Sequence, residues 1–294
     1  VAVMCVVPSC TTCAAAAASR HVSRKSWALK LPDRPHQAPG LRPLKSRSLS
    51  GFFHAASTTT CFDMTITRPL PKIDPRTVPV VSVDSHLADV PPQHLTPEAL
   101  RQRFARPPVW TPENSVEKKF GDRLPAPAAV LIALVMREEL TLLLTERGVN
   151  LSTHSGQIAF PGGRTDKTDR DAVHTALREA DEEIGLPASH VEVLGSLPIY
   201  VTGTAFIVTP VVALVRPGFE LKPNPAEVAD VFEVPLSHLM SPSNHRRHAF
   251  EFDGGVREWL SMPYTSSDPA QPRERYIWGA TAAMLRNFYR FLAA

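Results

Sequence analysis

The chain has 294 residues, 43% hydrophobic, 21% charged and 7% aromatic, which excludes a disordered or collagen-like polypeptide and allows a sizeable buried core. Its longest apolar run, Ala126 to Met136, contains a proline and is about half the ~20 residues of a membrane helix, which argues against a membrane-spanning protein. The net charge is +3, yet residues 1–63 hold eight Lys/Arg against Asp33 and Asp63; the remainder, with 24 basic and 27 acidic residues, has no basic field suited to nucleic acid.

Residues 1–63 contain a run of five alanines, scattered Pro, Ser and Arg, and no sustained periodicity, so they read as a disordered leader. The opening Val and the change of composition at Met64 favour Met64 as the natural start and a cytoplasmic protein. An Arg- and Ser-rich, acid-poor composition also suits an organellar transit peptide, which would make the protein mitochondrial. All four cysteines lie in this segment. Cys10 and Cys13 are spaced as half a zinc site, but no second half follows, so they are read as incidental.

From Met64 to about Pro127 the chain is Pro-rich, with one predicted helix from Thr96 to Phe104 that Thr96 caps and Pro97 starts. This segment reads as an arm packed on a core that occupies residues 128–294. The core opens with two strands, Ala128 to Met136 and Leu140 to Thr145, joined tightly through Arg137-Glu138-Glu139. A Gly/Pro-rich loop, Phe160-Pro161-Gly162-Gly163, precedes an acidic helix from about Asp169 to Ile184, which Gly185 closes. Strands are expected at Val191 to Val201, Phe206 to Val215, His248 to Phe252 and Glu258 to Leu260, and a helix from Gly279 to Leu292. Strands interrupted by a few helices point to an α/β or α+β sandwich.

The acidic helix carries most of the chemistry. Val173, Ala176, Leu177, Ala180 and Ile184 form its apolar face, and Glu179 and Glu183, four apart, project along one edge of that stripe. Glu182 flanks them, and Arg178, four residues earlier, can pair with it. A solvated charged surface is the bland reading. It is disfavoured because four carboxylates crowd the helix C-terminal turns, where the dipole repels anions. Mg²⁺ or Mn²⁺, which take hard oxygen ligands, would resolve that conflict. Gly162 and Gly163 allow a close backbone approach beside the helix, as a phosphate-bearing substrate sharing the metal would need.

Gly163 followed by Arg178-Glu179-Ala180-Asp181-Glu182-Glu183-Ile184-Gly185-Leu186 resembles the box of the Nudix hydrolases, which cleave diphosphates linked to another moiety. The second half of the box matches throughout. In the first half the spacing is one residue longer, and Arg170, flanked by Asp169 and Asp171, stands where the outlying Glu is expected. That spacing, with Leu143-Leu144-Thr145-Glu146-Arg147, Leu151, His154, Gly156-Gln157 and Phe160-Pro161-Gly162-Gly163 upstream, resembles the coenzyme A diphosphatase branch. The resemblance implies an α/β/α sandwich around a mixed sheet, with the box as a loop–helix–loop. It implies that Glu179 and Glu183 ligate Mg²⁺ or Mn²⁺, with Glu182 a further ligand or the partner of Arg178. It also implies a small-molecule substrate, coenzyme A or a relative, giving 3′,5′-ADP and 4′-phosphopantetheine. Glu227 is a candidate distal carboxylate, and Arg147, His154 and Gln157 are candidate substrate contacts beside Gly162 and Gly163. His245-Arg246-Arg247-His248 is read as a solvated edge strand, with contact to a 3′-phosphate as the alternative. ADP-ribose or a nucleotide sugar as substrate, and a non-catalytic binding module, are the competing readings.

Overall fold

The structure is a computed structural model that describes residues 73–118, 124–148, 156–252, 255–266 and 272–294, all within the compact unit Asp63–Ala294. In chain order the elements are β1 (Val80–Val83), α1 (Pro97–Ala105), β2 (Ala126–Met136), β3 (Leu140–Arg147), β4 (Ile158–Ala159), β5 (Gly162–Arg164) and α2 (Ala172–Ile184). There follow β6 (Val191–Ser196), β7 (Tyr200–Val201), β8 (Phe206–Val215), β9 (Val228–Pro235), α3 (Leu236–Leu239), β10 (Arg246–Phe252), β11 (Gly255–Thr265), β12 (Glu274–Trp278) and α4 (Gly279–Ala293).

The larger sheet is mixed. The β2 and β8 strands run parallel from Ala126 beside Phe206 to Val135 beside Val215, and the other pairings are antiparallel. Their continuous apolar composition follows from burial on both faces. Ala129, Leu131, Ala133, Val211 and Ala213 face α2, whereas Ile132, Leu134, Val212 and Leu214 face the core shared with α1, α4 and the second sheet. That second sheet is antiparallel, in the order β1-β10-β11-β12.

The free edge of β2 is divided, and this division creates the site. Ala133 to Met136 pair with β3, but Ala128 to Val130 pair with β5. Past Leu143, β3 leaves β2 and takes β4 on that side, with β9 on its other side. The Phe160-Pro161 link between β4 and β5 crosses the opening, and the Leu131 N–H donates to the Pro161 carbonyl at 2.8 Å.

Several expectations are corrected. The predicted loop at Gly162 and Gly163 is strand β5, because β2 supplies the hydrogen bonds that three residues alone could not organise. The predicted helix begins at Ala172, not Asp169, since Asp171 caps it by accepting the His174 N–H at 2.8 Å. The strand expected over Val191 to Val201 is two strands separated around Pro198, and Glu258 to Leu260 is the middle of the longer β11.

The reading of His245 to His248 is also corrected. The β10 strand lies between β1 and β11 and is no edge, and both histidines are buried. Arg247 donates to Asp84 and Glu113; Arg286, 1% exposed, pairs with the same two carboxylates at 3.1 and 2.7 Å. Arg286 also donates to His245 Nδ1 at 3.0 Å, and burial pushes the His245 pKa down to about 4, so the ring stays neutral. Arg247 is thus committed to internal carboxylates that tie residues 84 and 113 to the second sheet and α4. The predicted helix at Thr96 is α1, with the Thr96 hydroxyl accepting the Ala99 N–H and Leu100 fully buried.

Candidate active site

The α2 helix is anchored by its apolar stripe. Ala176, Ala180 and Ile184 are buried against β2, and Gly185, in the left-handed conformation at φ 66°, ends the helix by donating to Ala180 and Asp181 carbonyls. This anchoring turns Glu179 and Glu183 toward β5. Glu183 is 4% exposed; its carboxylate accepts the Gly162 N–H at 3.0 Å, and Arg147 Nη1 stands 3.9 Å away. Burial pushes its pKa up to about 7, against the pull of the Gly162 N–H and Arg147. Glu179 is also raised, first by burial, with Glu182 and Glu227 adding repulsion and Arg178 opposing.

The two glycines are required by contact. A Cβ on Gly163 would lie 2.6 Å from the Glu179 carboxylate. A Cβ on Gly162, at φ 156°, would overlap the Ala129 carbonyl oxygen. Any side chain at either position would displace a carboxylate or the β2 backbone.

Arg178 joins the acidic groups. Its Nη1 lies 2.8 Å from Glu182 and 3.0 Å from Glu179, while Nε and Nη2 form a fork on Asp169 at 3.0 and 2.8 Å. Nη2 also donates to the Arg164 carbonyl at 3.1 Å. Glu182 is exposed and accepts a hydrogen bond from Arg178 Nη1 at 2.8 Å. The sequence places Asp169 beside Arg170 and at the expected start of the helix, without a role in the site, yet its side chain has no exposed surface and the Arg178 guanidinium holds its carboxyl far below the usual range. The available signal was a carboxylate one residue before the outlying box position.

The distal loop is tied to the end of α2. Lys222 and Asn224 N–H groups donate to the Ile184 and Glu183 carbonyls, both at 2.8 Å. That brings exposed Glu227 within repulsive range of Glu179 and Glu183, and the Gly148 N–H donates to the Glu227 carbonyl. Arg147, at the end of β3, donates its backbone N–H to the Gln157 carbonyl at 2.9 Å, and among the described residues its buried Nε has no hydrogen-bond partner. His154 lies outside the described residues.

Among the described residues, no three Asp, Glu, His or Cys side chains converge tightly enough to enclose an ion as they stand. Glu179 is drawn to Arg178, and Glu183 to Gly162. The donor set nonetheless fits a hard divalent cation: two largely buried carboxylates on successive turns, both raised by burial, with a third carboxylate repelling each. No helix among the described residues is long and apolar enough to cross a membrane.

The NUDIX domain model matches residues 125–253, a span that contains β2 to β10 and the carboxylates Asp169, Glu179, Glu182, Glu183 and Glu227. The chain is 48% identical over 160 residues to an uncharacterized Nudix hydrolase NudL of Photorhabdus laumondii, covering 54% of this chain and 81% of that relative. It is 43% identical over 163 residues to NudL of Yersinia enterocolitica, covering 54% and 78%, and 40% identical over 161 residues to NudL of Escherichia coli K12, covering 54% and 79%. Similarity of this extent, over a site built from a box helix and the strand that opens beside it, means that the chain belongs to the Nudix hydrolases and is a pyrophosphohydrolase.

Proposed function

We propose that this enzyme hydrolyses the diphosphate bond of coenzyme A or its derivatives, giving 3′,5′-ADP and 4′-phosphopantetheine, with Mg²⁺ or Mn²⁺ as cofactor. One observation carries the reading. The segment that resembles the coenzyme A branch, Leu143 to Gly163, meets the box at single side chains: Arg147 faces Glu183, the Gly162 N–H binds Glu183, and Gly163 abuts Glu179.

In this reading Glu179 and Glu183 would hold the metal, and Glu182 fixes Arg178 at their side. When bound, the cation supplies Lewis acidity toward the diphosphate and the attacking water. Arg147 offers its guanidinium to a phosphate oxygen, its Nε having no hydrogen-bond partner among the described residues. Gln157 and His154 contact the substrate from the segment between β3 and β5. Water attacks one phosphorus in line and loses a proton to Glu227, which is exposed at the rim of the site. The bridging oxygen leaves with the other phosphate, and the two products separate.

The folded part carries a net negative charge, so affinity for so anionic a ligand comes from bound cation and from local groups such as Arg147. The test is kcat/KM for coenzyme A, dephospho-coenzyme A, ADP-ribose and UDP-glucose under one metal condition. Coenzyme A is expected to lead, with 3′,5′-ADP as the adenine product. A clear preference for ADP-ribose or UDP-glucose would sink the branch assignment and leave the family chemistry in place.

A further inference from the structure

Glu146 and Asp230 stand directly opposite each other in the β3–β9 ladder, at its end nearest the site. Two carboxylates in that register repel. Both lie on the face away from α2, because Leu142, Leu144 and Val234, on the same strand alternation, belong to the core shared with the second sheet. Two arginines of that second sheet answer the repulsion. Arg275, in β12, donates Nη1 to Glu146 at 2.8 Å and Nη2 to Asp230, and its guanidinium lies 4.1 Å over the Phe232 ring. Arg273, just before β12, donates Nη2 to Glu146 at 2.6 Å and Nη1 to Asp230 at 3.0 Å. The two are not equivalent: the Arg275 side chain is 10% exposed and that of Arg273 51%, so solvent weakens the Arg275 pairs less.

The residues that follow on the ladder belong to the site. Arg147 comes after Glu146 and, by strand alternation, emerges on the α2 face, 3.9 Å from Glu183. On the partner strand the register slips at this point. Arg147 lies opposite Val228, which leaves Ala229 as the extra residue of a bulge, with Glu227 just before it. Beyond the bulge the two strands are joined by the Gly148 N–H, which donates to the Glu227 carbonyl at 2.8 Å. Glu146 and Asp230 are therefore the last regular pair before Arg147 and Glu227, and any splaying at that pair moves both. We infer that Arg275 is a positioning residue: from the second sheet it holds Glu146 and Asp230 together and so fixes the spacing of Arg147 and Glu227 on the opposite face. The inference rests on the roles given to Arg147 and Glu227 in the reading above.

The experiment is amide hydrogen exchange on the full chain without metal or substrate, with kcat and KM for coenzyme A and the melting temperature alongside. Arg275→Met keeps an apolar stem over Phe232 and removes the charge, leaving the half-exposed Arg273 to hold both carboxylates. The amides of Arg147 and Gly148 are expected to exchange about tenfold faster, with Thr141 to Leu143 at the other end of the ladder unchanged, and kcat/KM to fall about fivefold. Adding Glu146→Gln and Asp230→Asn ends the repulsion and is expected to recover most of both losses, which a general loss of stability would not allow. If Arg275→Met does not fold, Arg275→Lys decides: its single ammonium cannot bridge the two carboxylates as the fork does, and exchange at Arg147 and Gly148 should rise about threefold. Unchanged exchange at those two amides, or faster exchange with unchanged kcat/KM, would overturn the inference. A parent chain that hydrolyses ADP-ribose and not coenzyme A would sink the substrate reading alone; the same comparison with ADP-ribose then decides this inference separately.

Discussion

Replacing Glu183 by Gln separates what this residue costs the fold from what it gives the site. Its pKa rises from an ordinary 4.5 to about 7 because the carboxylate is buried with one N–H donor and a distant Arg147. A rise of that size corresponds to about 3 kcal/mol of disfavoured ionisation. The sign follows from proton uptake. Between pH 4.5 and 7 the folded chain holds a proton here that the unfolded chain has lost, so the penalty is absent at low pH and complete above pH 7. Gln keeps an oxygen for the Gly162 N–H and has nothing to ionise. In metal-free protein at pH 8 the variant is therefore expected to be more stable by about 2 kcal/mol, or roughly 5 °C in melting temperature for a domain of this size. At pH 5 the gain should shrink below about 1 kcal/mol. Turnover should fall at least a hundredfold, about 3 kcal/mol of transition-state stabilisation. The assays are thermal melts in chelator at both pH values and initial rates with saturating Mg²⁺. A variant that gains nothing at pH 8, or that turns over at the parent rate, would refute the reasoning.

Gly163→Ala places a methyl group 2.6 Å from the Glu179 carboxylate, a flexible end that can move; the melting temperature should change by no more than about 2 °C while kcat drops tenfold or more. A chain that begins at Leu124 removes Asp84 and Glu113 and leaves Arg286 and Arg247 without their carboxylates, at about 3–5 kcal/mol for a broken buried pair, and exposes the pocket of Leu100. Circular dichroism should show it unfolded, whereas a chain that begins at Met64 should melt and turn over like the parent.

The legible parts of the molecule were those whose conformation is decided locally. The apolar stripe of α2, its closing Gly185, the Thr96 cap of α1 and the unbroken run of β8 are periodicity and capping effects that travel with the sequence. The illegible parts owe their state to partners far along the chain. Gly162 to Arg164 form a strand only because β2 is left open where β3 departs, and the exposed Val80 to Val83 are a strand because β10 pairs with them. The histidines at 245 and 248 look solvated in a basic run; carboxylates from residues 84 and 113 turn that run inward. Five residues separate Gly163 from Asp169, but the extra residue before Arg178 shifts the box when it is counted from the helix, and only the fold shows which of the neighbouring residues meets Arg178.

The α2 helix can carry a cluster of mutually repelling anions because two scales of energy are separated on its surface. Dipole and i,i+4 repulsion cost a few tenths of a kcal/mol each, whereas burying a side chain such as Ile184 contributes about 1.5–3 kcal/mol. Ala176, Ala180, Ile184 and the following Leu186 pack on β2 and its neighbours, so the helix is held by the face that does no chemistry. Glu183 is the exception to that separation, since it is buried as deeply as the core residues beside it. The larger penalty falls on this one residue, at the point where β3 leaves β2 and a peptide N–H is exposed to meet it. A cation that neutralised Glu183 there, as proposed, would bind the folded chain and not the unfolded one, and so would return stability to the fold as its concentration rises above its dissociation constant.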